Sequence, residues 1–108
     1  MDVVIEKIPN LVKEEITKID QEAKVILFGS RARGDYDSDS DWDFLILLSH
    51  PINMEMEDLI RNKLYEIELE TEEVITSIIE TKGEWEKYGE TLIYKNIEDQ
   101  GILVMTDE

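Results

Sequence analysis

The chain has 108 residues, 11 basic against 27 acidic, giving a formal charge of −16, with no cysteine and one histidine. That length suits a single domain over residues 1–108, and the charge repels phosphate backbones and anionic bilayers, which excludes general nucleic-acid and membrane-surface binding. No run of about 18 apolar residues is present to span a bilayer, the broken acidic N-terminus is no signal peptide, and the missing cysteines exclude a disulfide framework, so the expected location is the cytoplasm.

Ile5, Ile8, Val12, Ile16 and Ile19 recur at three- and four-residue spacing, which predicts an amphipathic helix up to about Asp20, kinked or restarted at Pro9. Lys24–Phe28 is a short apolar run that reads as a buried strand ending at Gly29. Ser30–Gly34 forms one helical turn, Asp35–Ser40 a loop, and Trp42–Leu48 a second buried strand. Met56, Ile60, Leu64 and Ile67 mark a second long helix, with Asn53 as its cap. Val74–Ile79, mostly β-branched, is a third strand, and Glu84–Tyr88 a short helix. Thr91 caps a last helix to Gln100, Gly101 ends it, and Ile102–Met105 adds an edge strand. The order predicts an α/β (α+β) fold with a mixed sheet of three to four strands flanked by helices.

The chemistry concentrates in residues 28–46. Gly29 follows a strand and precedes a helical turn, where a missing side chain lets backbone N–H groups come close to an anion. Ser30 adds a hydroxyl, and Arg31 and Arg33 are the only basic residues between Lys24 and Arg61. Two residues apart on a turn, the arginines point in different directions: one faces phosphate and the other holds structure. Asp41 and Asp43 enter the second strand at a spacing of two, so both carboxylates share a face opposite Trp42. Their Cα atoms are then about 6.5 Å apart, close enough to share ions. Mg²⁺ favours one or two carboxylates with substrate phosphates and water, and a two-metal pair suits phosphoryl chemistry.

Asp35, Asp37 and Asp39 imitate the start of a calcium loop, but the sixth position is Ser40 where glycine is needed and the twelfth is Ile46 where glutamate is needed. They read as solvated loop. His50 precedes Pro51 in a turn, without a second histidine to make a metal site. Trp42, Trp85, Tyr94, Met54 and Met56 read as core or interface packing.

The ordered run Gly29-Ser30-Arg31-Ala32-Arg33-Gly34, then Ser40-Asp41-Trp42-Asp43, resembles the signature of the polymerase-β-type nucleotidyltransferases, and within them the minimal nucleotidyltransferase group. The resemblance implies AMP transfer from ATP, with Gly29 and Ser30 at the triphosphate and Asp41 and Asp43 on two Mg²⁺ ions. It also implies a helical HEPN-domain partner, usually an RNase toxin, to which such a protein is the antitoxin, in some systems by attaching AMP to a tyrosine. The resemblance calls for a third carboxylate on the next strand. The simplest alignment puts Ile75 there, and a shifted register puts Glu73 there as a third metal ligand. Loss of that acid favours the alternative of a binding module that neutralises its partner by occlusion. Modification of a small molecule such as an aminoglycoside is disfavoured, because those relatives usually carry an extra helical domain.

Overall fold

In this computed structural model the backbone is described over residues 3–105 and the side chains over 7–105. Helix α1 (Val3–Ile19) leads to β1 (Lys24–Phe28), the one-turn helix α2 (Ser30–Arg33), β2 (Trp42–Leu48) and the long helix α3 (Met54–Thr71). Then follow β3 (Ile75–Thr81), α4 (Lys82–Glu86), α5 (Leu92–Gln100) and the two-residue β4 (Ile102–Leu103). The strands form one mixed sheet in the order β3-β2-β1-β4, with β1 antiparallel to β2 and β4, and β2 parallel to β3. The parallel pair is joined through α3, as a parallel connection requires a crossover.

Period-two alternation sorts each strand's side chains between two helical layers. Val25, Leu27, Trp42, Phe44, Ile46 and Leu48 pack under α1 and α3 against Ile8, Val12, Ile16, Ile60, Leu64 and Ile67. Leu45 and Leu47 pack on the other side against Trp85 of α4 and Ile97 of α5, with Ile26, Phe28 and Ile78 beside them. The long helices hold because their apolar positions recur every three or four residues and present one stripe to the sheet.

Several sequence expectations hold in atomic detail. Asn53 accepts the Met56 N–H at 2.8 Å and Thr91 accepts the Tyr94 N–H at 3.3 Å, as N-caps do. Helix α1 continues through Pro9, which has no N–H to give to the preceding turn. The Ile5 side chain lies outside the described residues. Strand β3 begins one residue later and ends two later than expected, and the edge strand is shorter, Ile102–Leu103. Helix α4 starts at Lys82 because Thr81 caps it through the Glu84 N–H. Met54, read as core or interface packing, is 80% exposed and so is not part of the core.

A buried carboxylate pins the end of β2 to the end of α1. Asp20 accepts the Ser49 N–H at 2.7 Å, the Ser49 hydroxyl at 2.7 Å and the Glu22 N–H at 3.0 Å. Burial alone would raise its pKa, but these donors outweigh it and hold the carboxyl below the usual range.

Candidate active site

The site lies where β1 ends and β2 begins. Phe28 stands opposite Asp43 in the antiparallel register, so the turn at Gly29 closes directly over the Asp43 carboxylate. Gly29 has φ 75° and ψ −159°, a conformation that L side chains rarely adopt, and a Cβ placed on it would run into Asp43 Oδ2. The glycine is therefore required twice, by its backbone and by the carboxylate it faces. From Gly29 the chain turns into α2, where the N–H groups of Ala32 and Arg33 return to the Gly29 carbonyl at 3.1 Å. The N–H groups of Ser30 and Arg31 open the turn, the position that has no intrahelical acceptor.

The two arginines part company across the sheet. Arg31 is buried on the α1/α3 side, its guanidinium 4.5 Å from the Tyr36 ring centre and 4.3 Å from that of Trp42. It donates to the Ser40 carbonyl at 3.0 Å and stands 3.6 Å from Glu73, which accepts the Trp42 indole N–H at 3.0 Å. This cluster fixes the loop immediately before Asp41. The Trp42 N–H, bonded to the Val74 carbonyl at 2.8 Å, fixes the start of the strand itself. Arg33 is on the other side, exposed, 3.4 Å from Asp35 and near enough to Asp43 to oppose the rise of its pKa. An exposed pair such as Arg33–Asp35 is weak and leaves the guanidinium available to an anion. Of the expected pair, then, Arg31 holds structure and Arg33 faces the site.

The order of the acidic loop has a local cause. Asp37 accepts the Asp39 N–H at 2.9 Å and gives its own N–H to the Ser40 hydroxyl at 3.0 Å, a side-chain-closed turn. Asp41 is exposed beyond it and Asp43 is half-buried. Burial pushes the Asp43 carboxyl up, the neighbouring Asp41 charge pushes it further, and Arg33 pulls it back. Two like charges held together at the mouth of a turn that presents N–H groups form a donor set suited to a divalent cation shared with phosphate oxygens.

No third acid joins them among the described residues. In the parallel register Asp43 stands beside Thr76, while Ile75 stands beside Trp42 and packs into the α1/α3 core. Ile75 therefore does not occupy the position next to the carboxylate pair; Thr76 does. Glu73 has the parity of Ile75 and is engaged with Trp42 and Arg31, so it is not brought to Asp41 and Asp43. The roles of Thr76 and Tyr36 went unseen in the sequence. The register of a strand reached through α3 is not local information, and a lone tyrosine in an acidic loop gives no signal.

A groove of about 440 Å³ opens from Gly29 and Arg33 toward α5. A larger one, about 720 Å³, lies between the C-terminal end of α1 and the start of α3. It is lined by residues such as Lys18, Met56 and Leu59 and touches none of the motif, so the smaller groove is the one tied to the chemistry.

The arginine assignment has a direct test. Arg31→Met should lower stability by about 1–3 kcal/mol, because the Ser40 carbonyl loses a charged donor and the Tyr36 and Trp42 rings lose their cation. Arg33→Met should leave the urea midpoint nearly unchanged, since its one ion pair is exposed. Equal stability losses in both variants would contradict the division of roles.

A family model described as the nucleotidyltransferase domain matches residues 5–104. The chain is 48% identical over 52 residues to Putative protein adenylyltransferase MJ0141 of Methanocaldococcus jannaschii, a match covering 45% of this chain and 52% of that protein. The match thus spans about half of the relative's length. The fold is similar to that of a putative nucleotidyltransferase from Sulfolobus solfataricus, with a TM-score of 0.62 and 21% identity over 94% of this chain and 79% of the other. It is also similar to a toxin-antitoxin crystallised with AMP-PNP, with a TM-score of 0.65 and 13% identity over 93% of this chain and 74% of the other. At these identities the two structures bear on the fold alone.

Proposed function

We propose, from the premise that the chain belongs to the nucleotidyltransferase domain family, that it transfers AMP from ATP to a hydroxyl group of a partner protein. In this reading it acts in the cytoplasm as the antitoxin of a HEPN-type toxin. The observation that carries the reading is the closure of the Gly29 turn over Asp43, with Asp41 and Arg33 beside it and an open groove in front. The 48% identity over 52 residues to a protein named as a putative protein adenylyltransferase supports AMP as the transferred group, and the toxin-antitoxin crystallised with AMP-PNP shares the fold.

Asp41 and Asp43 would hold Mg²⁺, which when bound neutralises the triphosphate and the charge that develops on the attacking and leaving oxygens. Gly29 and Ser30 offer N–H groups and a hydroxyl to the phosphates, and Arg33 offers positive charge from the same side. The acceptor oxygen bonds to the α-phosphorus, the bond from that phosphorus to the bridging oxygen breaks, and pyrophosphate departs. Positioning and charge supply most of such a barrier reduction, so a small chain suffices. The acceptor's proton goes to an Asp carboxylate of the pair or to water.

Thr76 beside Asp43, and a Glu73 turned to Trp42, favour a second reading in which the chain neutralises its partner by covering it. One experiment separates the two. The chain is co-expressed with the protein encoded beside it, and intact masses are recorded for wild type, Asp41→Asn and Asp43→Asn. A partner that gains AMP units only with the wild type supports transfer. Protection without any mass gain, retained in both variants, supports occlusion.

A further inference from the structure

The groove beside the carboxylates changes character along its length. At one end are Gly29 and Arg33; at the other are Leu92, Ile93, Asn96 and Gln100 of α5. Leu92, Asn96 and Gln100 are four apart and share one stripe of the helix, about 12 Å long at 1.5 Å per residue. Among the described residues no carboxylate lines the groove, although 27 of the 108 residues are acidic. Of the two α5 acids, Glu98 is turned to the Trp85 indole N–H, 3.3 Å away, and Asp99 is not among the residues that line the groove. Leu92 is 74% and Ile93 40% exposed, apolar surface left open next to a charged site. The volume, about 440 Å³, falls in the range of small-molecule sites.

A nucleotide has the same polarity along its length. Its phosphates need cations and N–H donors, and its base has flat apolar faces with uncharged donors and acceptors at the edge. Asn and Gln amides carry both donor and acceptor and so match such an edge, while no cation is among the described residues lining the α5 end to hold a second anionic group. We propose that the α5 end of the groove is the nucleobase pocket of this site. Leu92 and Ile93 cover the base faces, and Asn96 and Gln100 read its edge. The proposal rests on the nucleotidyl-transfer reading above and adds the residues that set base preference.

Titration calorimetry with Mg²⁺ tests it, using ATP, GTP, CTP, UTP and inorganic tripolyphosphate as ligands. The wild type should bind its preferred nucleotide at least about tenfold tighter than tripolyphosphate. Asn96→Ala and Gln100→Ala lie at exposed helix positions that folding does not need. Each should weaken that nucleotide about 3- to 10-fold, the worth of one hydrogen bond, and narrow the differences among bases. Tripolyphosphate affinity should not change. Nucleotide binding untouched by the double variant, or equal to that of tripolyphosphate in the wild type, would overturn the base pocket and leave the phosphate end standing. A loss seen only in KM for the acceptor protein would assign the groove to the acceptor and overturn the proposal as well. A wild type that binds none of these ligands would overturn both readings.

Discussion

Asp43→Asn is expected to reduce AMP transfer by at least about 10²-fold, the scale for losing a charge-stabilising group in a transition state, while raising the thermal midpoint. Burial first, then the Asp41 charge, lifts the Asp43 carboxyl above its ordinary range, and Arg33 offsets only part of this. An acid whose folded pKa is raised disfavours the native state at neutral pH, and that penalty fades as pH falls through the folded value. Asparagine removes the charge, and the penalty with it. Calorimetry in chelator should therefore show the variant melting above the wild type. Adding Mg²⁺ with nucleotide should reverse the order, because a ligand at 100 times its dissociation constant stabilises by about 2.7 kcal/mol and the variant has lost half of the pair. In the wild type that gain should start to fade on acidification at a higher pH than an ordinary aspartate would give. A variant that melts lower in chelator, or that gains as much from Mg²⁺ and nucleotide, would contradict the placement of Asp43 in the site.

Gly29→Ala is the second large effect. Its positive φ costs a non-glycine residue about 1–3 kcal/mol, and the new methyl would displace the Asp43 carboxylate as well. Gly34→Ala is the matched control, since Gly34 also has a positive φ, 91°, but a Cβ there meets nothing within 4 Å. Both variants should lose stability to denaturant. Only Gly29→Ala should also abolish the thermal gain from Mg²⁺ and nucleotide and cut transfer by two orders of magnitude or more. If Gly34→Ala matched it in that loss, the close approach of Gly29 to Asp43 would not be what matters.

The elements most legible in the sequence are those whose signals are local. Lys24–Phe28 and Trp42–Leu48 are short apolar runs with polar punctuation, and the structure keeps both sets of ends. Asn53 and Thr91 cap their helices with their own side chains, a contact decided within three residues. What could not be read depends on distant partners. The residue beside Asp43 is set by the pairing of β3 with β2 across the whole of α3, and a one-residue difference exchanges Ile75 for Thr76. The split between Arg31 and Arg33 depends in the same way on which side of the sheet Tyr36 and Trp42 occupy. The groove also escaped, because α5 shows its apolar spacing in sequence but not which stripe meets β1.

Alternation in β2 has a consequence for folding fidelity. Trp42, Phe44, Ile46 and Leu48, all fully buried, share the strand with Asp43 at opposite parity. A slip of one residue would drive the carboxylate under α1 and α3 and turn the tryptophan outward, at a cost far above thermal energy. Misregistered molecules are thus filtered out by the hydrophobic layer before chemistry is ever asked of them. Any chain that completes its core has, by the same act, aimed its acidic pair.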